Sequence, residues 1–585
     1  EIADAMKEAS KETEVDLHTV FPFPMQSPED KKRGDAFLQD LNFVFHNYIN
    51  PDWIDAQGEI PDLVFEKLAK IGAFAIKIPA KYGGRGLSQV NYSRVGAFCG
   101  SKCGNISALL SAHQSIGVPQ PLLMYGTKAQ KKKYLPKFAK GAVSAFALTE
   151  KDVGSDPSQM TTEALPSEDG SHFILNGEKL WCTNGVKADT IIVMAKTPDK
   201  NGKKQITAFI VDMDMEGVSI VHRCHFMGLK ALYNGVVRFI NVKVPTENII
   251  LAEGKGMKVA LGTLNIGRLT LPAICTGLAK TCLKICREWC ASRVQWGCPI
   301  GKHEAIASKL SLMTAHVFAM ESMVSLAANM VDTKSHDIRV ESAMAKMWGT
   351  ELTWEIADDT MQIRSGRGYE TAQSLKSRGE DPIPVERYFR DSRINLIFEG
   401  SSEIMRLILA REALDPHLKV AGAVLDSRLS KGVRFKAALK AFWFYCKWYP
   451  KQWLPSVGGL PPNLHPSFKP KLKYIKRTSK VLARELFHAM IRYGPKLDKQ
   501  QLLLGALAEI GTELFVITAS VSHAQCLLDG DNEQEIVELI DCIFNNAKLR
   551  VQNKLNSLKC NNNKQNYSLA KKILAGDYKF LENIV

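Results

Sequence analysis

Hydrophobic and polar residues change their spacing twice along the chain, and these changes divide it into segments. Residues 31–145 carry apolar side chains at intervals of three to four, which predicts amphipathic helices; one begins at Pro61 and continues through Leu68. Between about 146 and 255, short β-branched runs separated by turn residues predict antiparallel strands. Helical spacing returns near 256 and lasts to about 420.

The β-branched runs and the long apolar-periodic stretches give the individual elements. Strands are predicted at 172–175, 190–195, 206–211 and 236–242, with turns at 176–177 and 199–202. Long helices are predicted at 257–264, 272–293 and 305–331. The order of helices, strands and helices indicates an α+β chain, mainly α, with a middle β domain.

Five segments follow from this pattern. They are an extended N-terminal arm (1–30), a helical domain (31–145), a β domain (146–255), a second helical domain (256–420) and a helical C-terminal extension (421–585). We find no apolar run of 18 or more residues, so no membrane-spanning helix is expected. The chain starts at Glu1 and not at a methionine, so we expect a processed or truncated product.

Composition changes the picture in one place. Hydrophobic residues make up 45% and charged residues 23%, which excludes a mainly disordered chain, a collagen-like fibre and a polytopic membrane protein. The net charge is +15, yet residues 431–500 hold sixteen Lys/Arg and two acids, net +14, so the rest carries about +1. The basic excess therefore concerns one segment, where it favours a polyanionic partner.

The thirteen cysteines show no metal-binding spacing. Cys282, Cys286 and Cys290 repeat every four residues, and we interpret them as small buried positions on one helix face. Reduced thiols of this kind indicate an intracellular compartment.

Two short segments offer polar groups that suit a planar heterocycle. In 146–156, Thr149 and the Gly154-Ser155 pair supply hydroxyl and backbone donors from a loop. In 179–185, alternation along a strand places Trp181 and Thr183 on one face. Taken singly, a loop like the first segment is usually an ordinary turn, and the second segment is better explained as a core tryptophan with an incidental threonine.

Two further segments offer charge. Arg293 and Trp296 stand where a long helix ends, and this pair suits a phosphate beside a stacked ring, although a surface arginine is the commoner case. Glu399 lies between an apolar run and a Gly-Ser turn. A carboxyl group in apolar surroundings has a raised pKa and can act as a general base, whereas a lone glutamate is more often a solvated helix cap.

In this order and spacing the four segments resemble the acyl-CoA dehydrogenase family over roughly residues 50–415. The Phe-Pro-Phe-Pro run at 21–24 and the length of the extension are similar to its very-long-chain branch. The resemblance implies a helical N-domain, a β-barrel-like middle domain, a four-helix bundle and an appended helical domain. It implies FAD-dependent oxidation of long-chain acyl-CoA to trans-2-enoyl-CoA in fatty acid β-oxidation, with Glu399 as the base.

The resemblance also implies the site residues, and no metal. The cofactor-binding set is Phe146, Leu148, Thr149, Gly154, Ser155, Trp181, Thr183, Arg293, Trp296, Gln362, Gly366, Ser401 and Glu403. The substrate set is Ser155, Asn265, Arg268 and Gly400. One branch of the family carries its base just before an arginine; here that position is Gly267, so the isovaleryl-type arrangement is disfavoured.

Three departures from the family pattern concern the adenine end of the cofactor. Glu304 stands where many members have glutamine, residues 364–367 replace a Leu-Gly-Gly run, and an insertion follows at 372–381. The added arginines either bind pyrophosphate or are solvated.

The expected partners are acyl-CoA, an electron-transfer flavoprotein, a second copy of the chain in a homodimer, and an anionic membrane bound peripherally through 431–480. A domain–domain interface with exposed lysines is the competing interpretation of that segment, and no nucleic-acid recognition motif accompanies its charge. The expected location is the matrix face of the mitochondrial inner membrane, or the cytoplasm with membrane association in a bacterium. An acyl-CoA oxidase that uses oxygen, and a flavoprotein with an added scaffold role, remain alternatives.

Overall fold

The computed structural model describes residues 17–333, 337–426, 428–455, 459–528 and 532–584. A first group of helices matches the periodicity of residues 31–145: α1 (Pro28–Tyr48), α2 (Pro51–Gln57), α3 (Asp62–Lys70), α4 (Gln89–Gly100), α5 (Gly104–Ser111), α6 (Pro119–Tyr125) and α7 (Lys128–Ala139). The helix predicted from Pro61 is confirmed as α3. Most of the N-terminal arm, residues 1–16, lies outside the described residues.

The middle of the chain forms one curled seven-stranded sheet. Its strands are β1 (Ser144–Ala147), β2 (Glu163–Pro166), β3 (His172–Cys182), β4 (Thr190–Pro198), β5 (Lys204–Asp212), β6 (Val218–Arg223) and β7 (Gly235–Pro245). The order is β1-β4-β2-β3-β7-β6, with β5 on β4. All four predicted strands are present, as β3, β4, β5 and β7. Strand β4 is buried on both faces: Ile192 packs towards α7, and Val193 packs into the core of the sheet.

Two details of the sheet differ from the sequence analysis. Strand β1 pairs with β4 in parallel, so the sheet is not wholly antiparallel. The Asn176-Gly177 pair lies inside β3, at a register shift against β7, and is not a turn. A Cβ at Gly177 would lie 2.5 Å from the Thr162 hydroxyl, so this glycine serves close packing within a bulge. The predicted 199–202 turn is confirmed by the bond from Gly202 N–H to Asp199 O.

A second group of helices follows the sheet: α8 (Gly256–Ser292), α9 (Glu304–Thr333), α10 (Arg339–Arg364), α11 (Gly366–Tyr369), α12 (Ala372–Ser377), α13 (Val385–Ser392) and α14 (Ser402–Leu425), with a small hairpin of β8 (Val294–Gln295) and β9 (Cys298–Pro299) after α8. Helix α8 packs against α4, α9 and α10. The two helices predicted at 257–264 and 272–293 are one, because α8 continues through Pro272. Cys282, Cys286 and Cys290 are buried along it, as expected.

The described chain divides into two compact units. One is residues 23–404, and the other comprises 17–22 and 405–584. The second unit contains α15 (Lys431–Lys451), α16 (Lys469–Tyr493), α17 (Gln501–Leu527), α18 (Glu533–Lys559) and α19 (Asn563–Leu574). The boundary falls within α14, which ends shortly after the domain limit predicted at 420. The mainly helical α+β class with a middle β domain is confirmed.

By length and composition alone, α8, α9 and α17 could each cross a membrane. The expectation that no helix is long and apolar enough to span a membrane therefore does not hold by length and composition. The average hydropathy over 18 residues stays high even where a few polar residues interrupt the apolar run. Between 56 and 72% of each apolar window is buried within the protein.

Candidate active site

The predicted base lies on a turn between the short 3₁₀ segment Arg393–Leu396 and helix α14. Glu399 has φ 56° and Gly400 has φ 96°, so two consecutive residues occupy the left-handed region. For a glutamate this conformation costs about 1–3 kcal/mol and persists only where the surroundings enforce it. Two buried cations hold the turn: Arg268 Nε donates to Glu399 O at 3.4 Å, and Lys346 Nζ donates to Gly400 O at 2.6 Å.

Glycine 267 makes room for the base. A Cβ at this position would lie 2.7 Å from Glu399 Oε2 and 2.9 Å from Ile116 Cγ2. A side chain at 267 would therefore occupy the space of the Glu399 carboxylate. Asn265 accepts from Arg268 Nη1 at 3.1 Å, which places two of the four predicted substrate residues beside this turn.

Burial and two nearby positive charges determine the pKa of Glu399. Burial raises the pKa of Glu399 to about 7, and the positive charges of Lys346 and Arg268 oppose that rise. The Oε2 atom is shielded from solvent and has no hydrogen-bond partner. A buried carboxylate oxygen without a partner is costly, and it is available to a ligand proton. The direction of the pKa shift is the one that the apolar run before Glu399 predicts.

The predicted flavin loop, residues 146–155, is tied to β3 by a buried ion pair. Lys179 Nζ lies 2.8 Å from Glu150 Oε1 and donates to Leu148 O at 3.1 Å. Leu180 N–H donates to Thr149 O at 2.9 Å, so the loop backbone is fixed immediately beside Trp181. Phe146 lies in β1, whereas Gly154 and Ser155 are exposed at the far end of the loop.

Trp181 and Thr183 lie close together, but not because side chains alternate along a strand. Strand β3 ends at Cys182, and Trp181 has φ 55°, so the prediction that both share one face of a regular strand is wrong. They are joined instead by Asn234, whose amide donates to Trp181 O at 3.3 Å and to Thr183 Oγ1 at 3.1 Å. The turn leaves the Trp181 ring 57% exposed beside the loop that holds Thr149.

A third group forms around Trp289 at the end of α8. The guanidinium groups of Arg293 and Arg364 lie 5.7 and 4.3 Å from its ring centre, and that of Arg367 lies at 5.5 Å. Arg364 is buried, and its Nε has no partner. Gln362 and Gly366 are exposed on either side of Arg364, with open space where a Gly366 Cβ would stand. The structure thus brings Arg293 to the 362–367 loop.

The insertion at 372–381 neutralises one of the added arginines. Arg367 makes a bidentate ion pair with Glu380, and Arg378 bridges Glu370 and Glu380. The two alternatives for the added arginines are pyrophosphate binding and solvation. Because Arg367 is ion-paired with Glu380, solvation alone does not describe it. Arg364 has no such carboxylate contact and stacks on Trp289.

Ser401 and Glu403 line a cavity of about 280 Å³ beside the base turn. Trp354 and Arg393 form another part of its wall, and the Arg393 guanidinium lies 5.4 Å from the Trp354 ring centre. Within the described ranges, no three His, Cys, Asp or Glu side chains are grouped closely enough to hold a metal ion.

Several features fit a large flat dinucleotide. Trp181, Trp296 and Glu399 are among the few residues other than glycine with positive φ, and Ser365 beside Gly366 is another. Strained backbone of this kind concentrates at binding sites. Trp296 is 93% exposed, and its ring lies edge-on to that of His303 with 5.6 Å between the ring centres. Exposed rings for stacking, a buried guanidinium whose Nε has no hydrogen-bond partner and loop hydroxyls for a ring edge together suit FAD.

Sequence reasoning missed Lys346, Lys179 and Trp289. The first had a usable signal, since a lysine within the run Ala343-Met344-Ala345-Lys346-Met347 interrupts an otherwise apolar helix face. The other two had none, because their roles depend on partners far away in sequence.

Comparison with known proteins identifies the family. Residues 36–142, 145–242 and 254–414 match the N-terminal, middle and C-terminal domain models of acyl-CoA dehydrogenases. The chain is 45% identical over 572 residues to probable acyl-CoA dehydrogenase FadE10 of Mycobacterium tuberculosis, covering 97% of this chain and 88% of that protein. It is 32% identical over 528 residues to human very long-chain specific acyl-CoA dehydrogenase, covering 86% and 76%.

Solved structures agree. An acyl-CoA dehydrogenase from Bacillus anthracis complexed with FAD superposes with a TM-score of 0.74 at 26% identity, over 94% of this chain and 91% of that one. Butyryl-CoA dehydrogenase from Megasphaera elsdenii gives 0.60 at 30% identity, over 65% and 98%. The fold and the site define a flavin-dependent oxidoreductase, and the chain belongs to the acyl-CoA dehydrogenase family. It acts on fatty acyl-CoA thioesters.

Proposed function

We propose that this enzyme oxidises long-chain acyl-CoA to trans-2-enoyl-CoA with Glu399 as the base, and that its electrons pass to an electron-transfer flavoprotein. The observation that carries the proposal is the Glu399 carboxylate itself, with a shielded, partnerless Oε2 and a pKa raised by burial to about 7. A group with this pKa is about half ionised at neutral pH, so it is available as a carboxylate and can accept a proton without a large uphill step.

The chain's own residues account for the proton half of the reaction. Glu399 takes the proton from the carbon α to the thioester, and the Glu399 N–H polarises the thioester carbonyl, as the family resemblance implies. The bound acyl chain excludes water from the turn, which raises the pKa of Glu399 further and favours proton acceptance. When bound, FAD supplies the acceptor for the hydride that leaves the β carbon.

The cofactor would be held by the three groups of residues described above. The 146–155 loop and Thr183 offer donors to the flavin edge beside Trp181, and Ser401 and Glu403 line the cavity next to the base. Arg293, Trp296, Gln362 and Gly366 lie on a separate exposed surface. In the homodimer that we propose, this surface covers the cofactor of the second copy, which is supported by the 93% exposure of the Trp296 ring.

A series of saturated acyl-CoAs from C4 to C20, with anaerobic flavin bleaching as the readout, tests the substrate proposal. We expect the rate to rise with chain length and to be highest at C14 or longer. Re-oxidation then separates the two acceptors: a dehydrogenase turns over with electron-transfer flavoprotein and releases little hydrogen peroxide in air. A maximum at C4–C6 would contradict the long-chain proposal, and rapid stoichiometric peroxide release would favour the oxidase.

Helix α15 supports a peripheral membrane position on either the mitochondrial inner membrane or a bacterial cytoplasmic membrane. It carries six basic residues and no acids. One face packs into the extension through Phe444 and Trp448. The opposite face exposes an apolar stripe of Phe435, Leu439, Phe442 and Trp443, flanked by Lys436, Lys440 and Lys447. Exposed aromatics beside a row of lysines suit the headgroup region of an anionic bilayer.

Not all of the basic segment faces solvent. Lys471 is buried and paired with Asp541 at 2.5 Å, and the Lys480 ammonium donates to Leu454 O at 3.1 Å. These lysines belong to the interior of the extension, so they match neither the membrane interpretation nor the competing interface with exposed lysines. The membrane proposal therefore concerns α15, not the whole of 431–480.

Vesicle flotation tests this proposal at the stripe. We expect Phe442→Ser/Trp443→Ser to lower binding to vesicles that contain an anionic phospholipid by about tenfold, because both rings are exposed and their loss removes apolar area without disturbing the fold. The matched control is Lys496→Glu/Lys499→Glu, which changes exposed charge in the same basic segment but away from the stripe. Equal flotation of the wild type and the serine variant would refute the proposal.

A further inference from the structure

Lys346 is a buried cation whose position demands an explanation. It lies on α10 among Ala343, Ala345 and Met347, all of which are buried, and its side chain has no exposed area. Burying an ammonium group is expensive unless it is paired or hydrogen-bonded. Its described hydrogen bond goes to the carbonyl oxygen of Gly400 at 2.6 Å, so its positive charge is not consumed by a contacting carboxylate.

The carbonyl that Lys346 holds belongs to the turn that presents Glu399. Residues 399 and 400 both have positive φ, and their two carbonyl oxygens are held from two different helices, by Arg268 of α8 and Lys346 of α10. Hydrogen bonds to both carbonyl oxygens enforce a backbone conformation that a glutamate otherwise avoids. Without either donor, the turn can relax towards ordinary backbone and move the carboxylate.

We propose that Lys346 is a positioning residue for the reaction: it holds the left-handed turn that aims Glu399 and places a positive charge beside that carboxylate. The proposal rests on Glu399 being the base. It differs from a purely structural role, in which the lysine would only satisfy a buried carbonyl and stabilise the fold.

The charges around the pair give the expected direction of its effect. Burial lowers the pKa of Lys346 to about 8, against the charge of Glu399 and Cys275, which raises it, so Lys346 is mainly an ammonium at pH 7. That charge lowers the pKa of Glu399. The other titratable groups facing the two are Arg268 and Cys275 on α8, Glu351 on α10 and Tyr92 on α4. Removing the charge at 346 therefore moves protonation of the base to higher pH.

Two neutral variants of the flavin-loaded enzyme test the proposal through the pH dependence of turnover. We expect Lys346→Met to shift the acid limb of kcat upward by about one pH unit and to lower kcat at pH 7 about tenfold, with KM changed less than twofold. Lys346→Gln keeps a donor but not the charge, so it shows the same limb shift with a smaller loss of kcat at high pH. Lys346→Arg restores the wild-type limb.

Thr350→Val is the matched control, since it removes a buried hydroxyl bond to Met347 O one turn further along α10 and changes no charge. It lowers Tm and leaves the acid limb unchanged. An unshifted limb in Lys346→Gln, with a loss of Tm like that of the control, overturns the proposal even if Lys346→Met does not fold. Glu399→Gln tests the assignment of the base separately from the role of Lys346. If that variant bleaches at the wild-type rate, the assignment of Glu399 as the base fails.

Discussion

Glu399→Gln is expected to abolish flavin bleaching by palmitoyl-CoA under anaerobic conditions, with a loss of about 10⁴-fold in rate. Glutamine has nearly the same shape as glutamate, so the turn held by Arg268 and Lys346 is preserved and FAD remains bound. It cannot accept the α-proton, so the β-hydride cannot leave to give the enoyl product. The measurement is flavin absorbance after rapid mixing, with FAD content determined for each preparation.

Glu386→Gln provides the control, because it removes a half-buried ion pair with Arg390 that lies outside the site. It should bleach within about twofold of the wild type. A Glu399→Gln variant that bleached at a comparable rate would show that another group removes the proton.

The raised pKa of Glu399 gives activity and stability opposite pH dependences. Bleaching requires the carboxylate, so its rate rises as the pH passes upward through about 7. The folded pKa lies above the unfolded value of 4.5, so the contribution of this group to stability is complete below 4.5 and is lost as the pH rises through 7. A glutamine escapes that loss, so Glu399→Gln should have a higher Tm than the wild type at pH 8.

Local signals in the sequence predicted most of the elements. Helix α3 follows from the spacing after Pro61, and strands β4 and β5 follow from β-branched runs between turns. Helix α8 did not follow, because Pro272 predicts a helix boundary. In the fold Pro272 removes one backbone donor, while tight packing against Gly349 and the bond from Thr276 Oγ1 to Pro272 O hold the helix together. Tertiary packing thus outweighs the local preference.

The candidate site was predictable where one segment carries its own chemistry and not where distant segments combine. The apolar run and Gly-Ser turn around Glu399 were sufficient to propose a base. Nothing in the 179–185 segment shows that Trp181 has a positive φ or that β3 ends at Cys182. The hydrogen bonds at this point come from Asn234, which follows Trp181 by 53 residues. Similarly, the pairing of Arg367 with Glu380 depends on how an insertion folds back, and periodicity carries no information about that.

The second large effect concerns the buried pair that fixes the flavin loop. Lys179→Met should destabilise the enzyme by about 3–5 kcal/mol, because the Glu150 carboxylate would remain buried without its counter-charge. Both side chains are almost completely buried, so solvent offers little compensation. The variant should also lose FAD more readily on dilution, since the same ammonium holds Leu148 O. Thermal unfolding and flavin retention are the measurements.

Two comparisons isolate the charge from the packing. Lys204→Met breaks an exposed pair with Glu163 in the same sheet and should cost less than about 1 kcal/mol. The double variant Lys179→Met/Glu150→Gln removes both charges, so it should recover part of the stability lost in the single variant. A double variant whose loss of stability equals the sum of the two single losses would show that the two charges do not act as a pair, and that the hydrogen bonds from Thr161 and Thr162 to Glu150 hold the loop.

Acid unfolding gives an independent measure of the same pair. Burial by itself raises the pKa of Glu150, but hydrogen bonds from Lys179, Thr162 and Thr161 outweigh it and lower the pKa to about 2. The folded pKa lies below the unfolded value of 4.5, so the stabilisation is present above 4.5 and is lost as the pH falls towards 2. Between these limits the wild type should lose stability, and FAD with it, more steeply than the double variant. The loop that we propose to line the flavin is then held by a carboxylate with a pKa of about 2, which does not titrate near neutral pH. Glu399, the proposed base, has a pKa of about 7 and does titrate there.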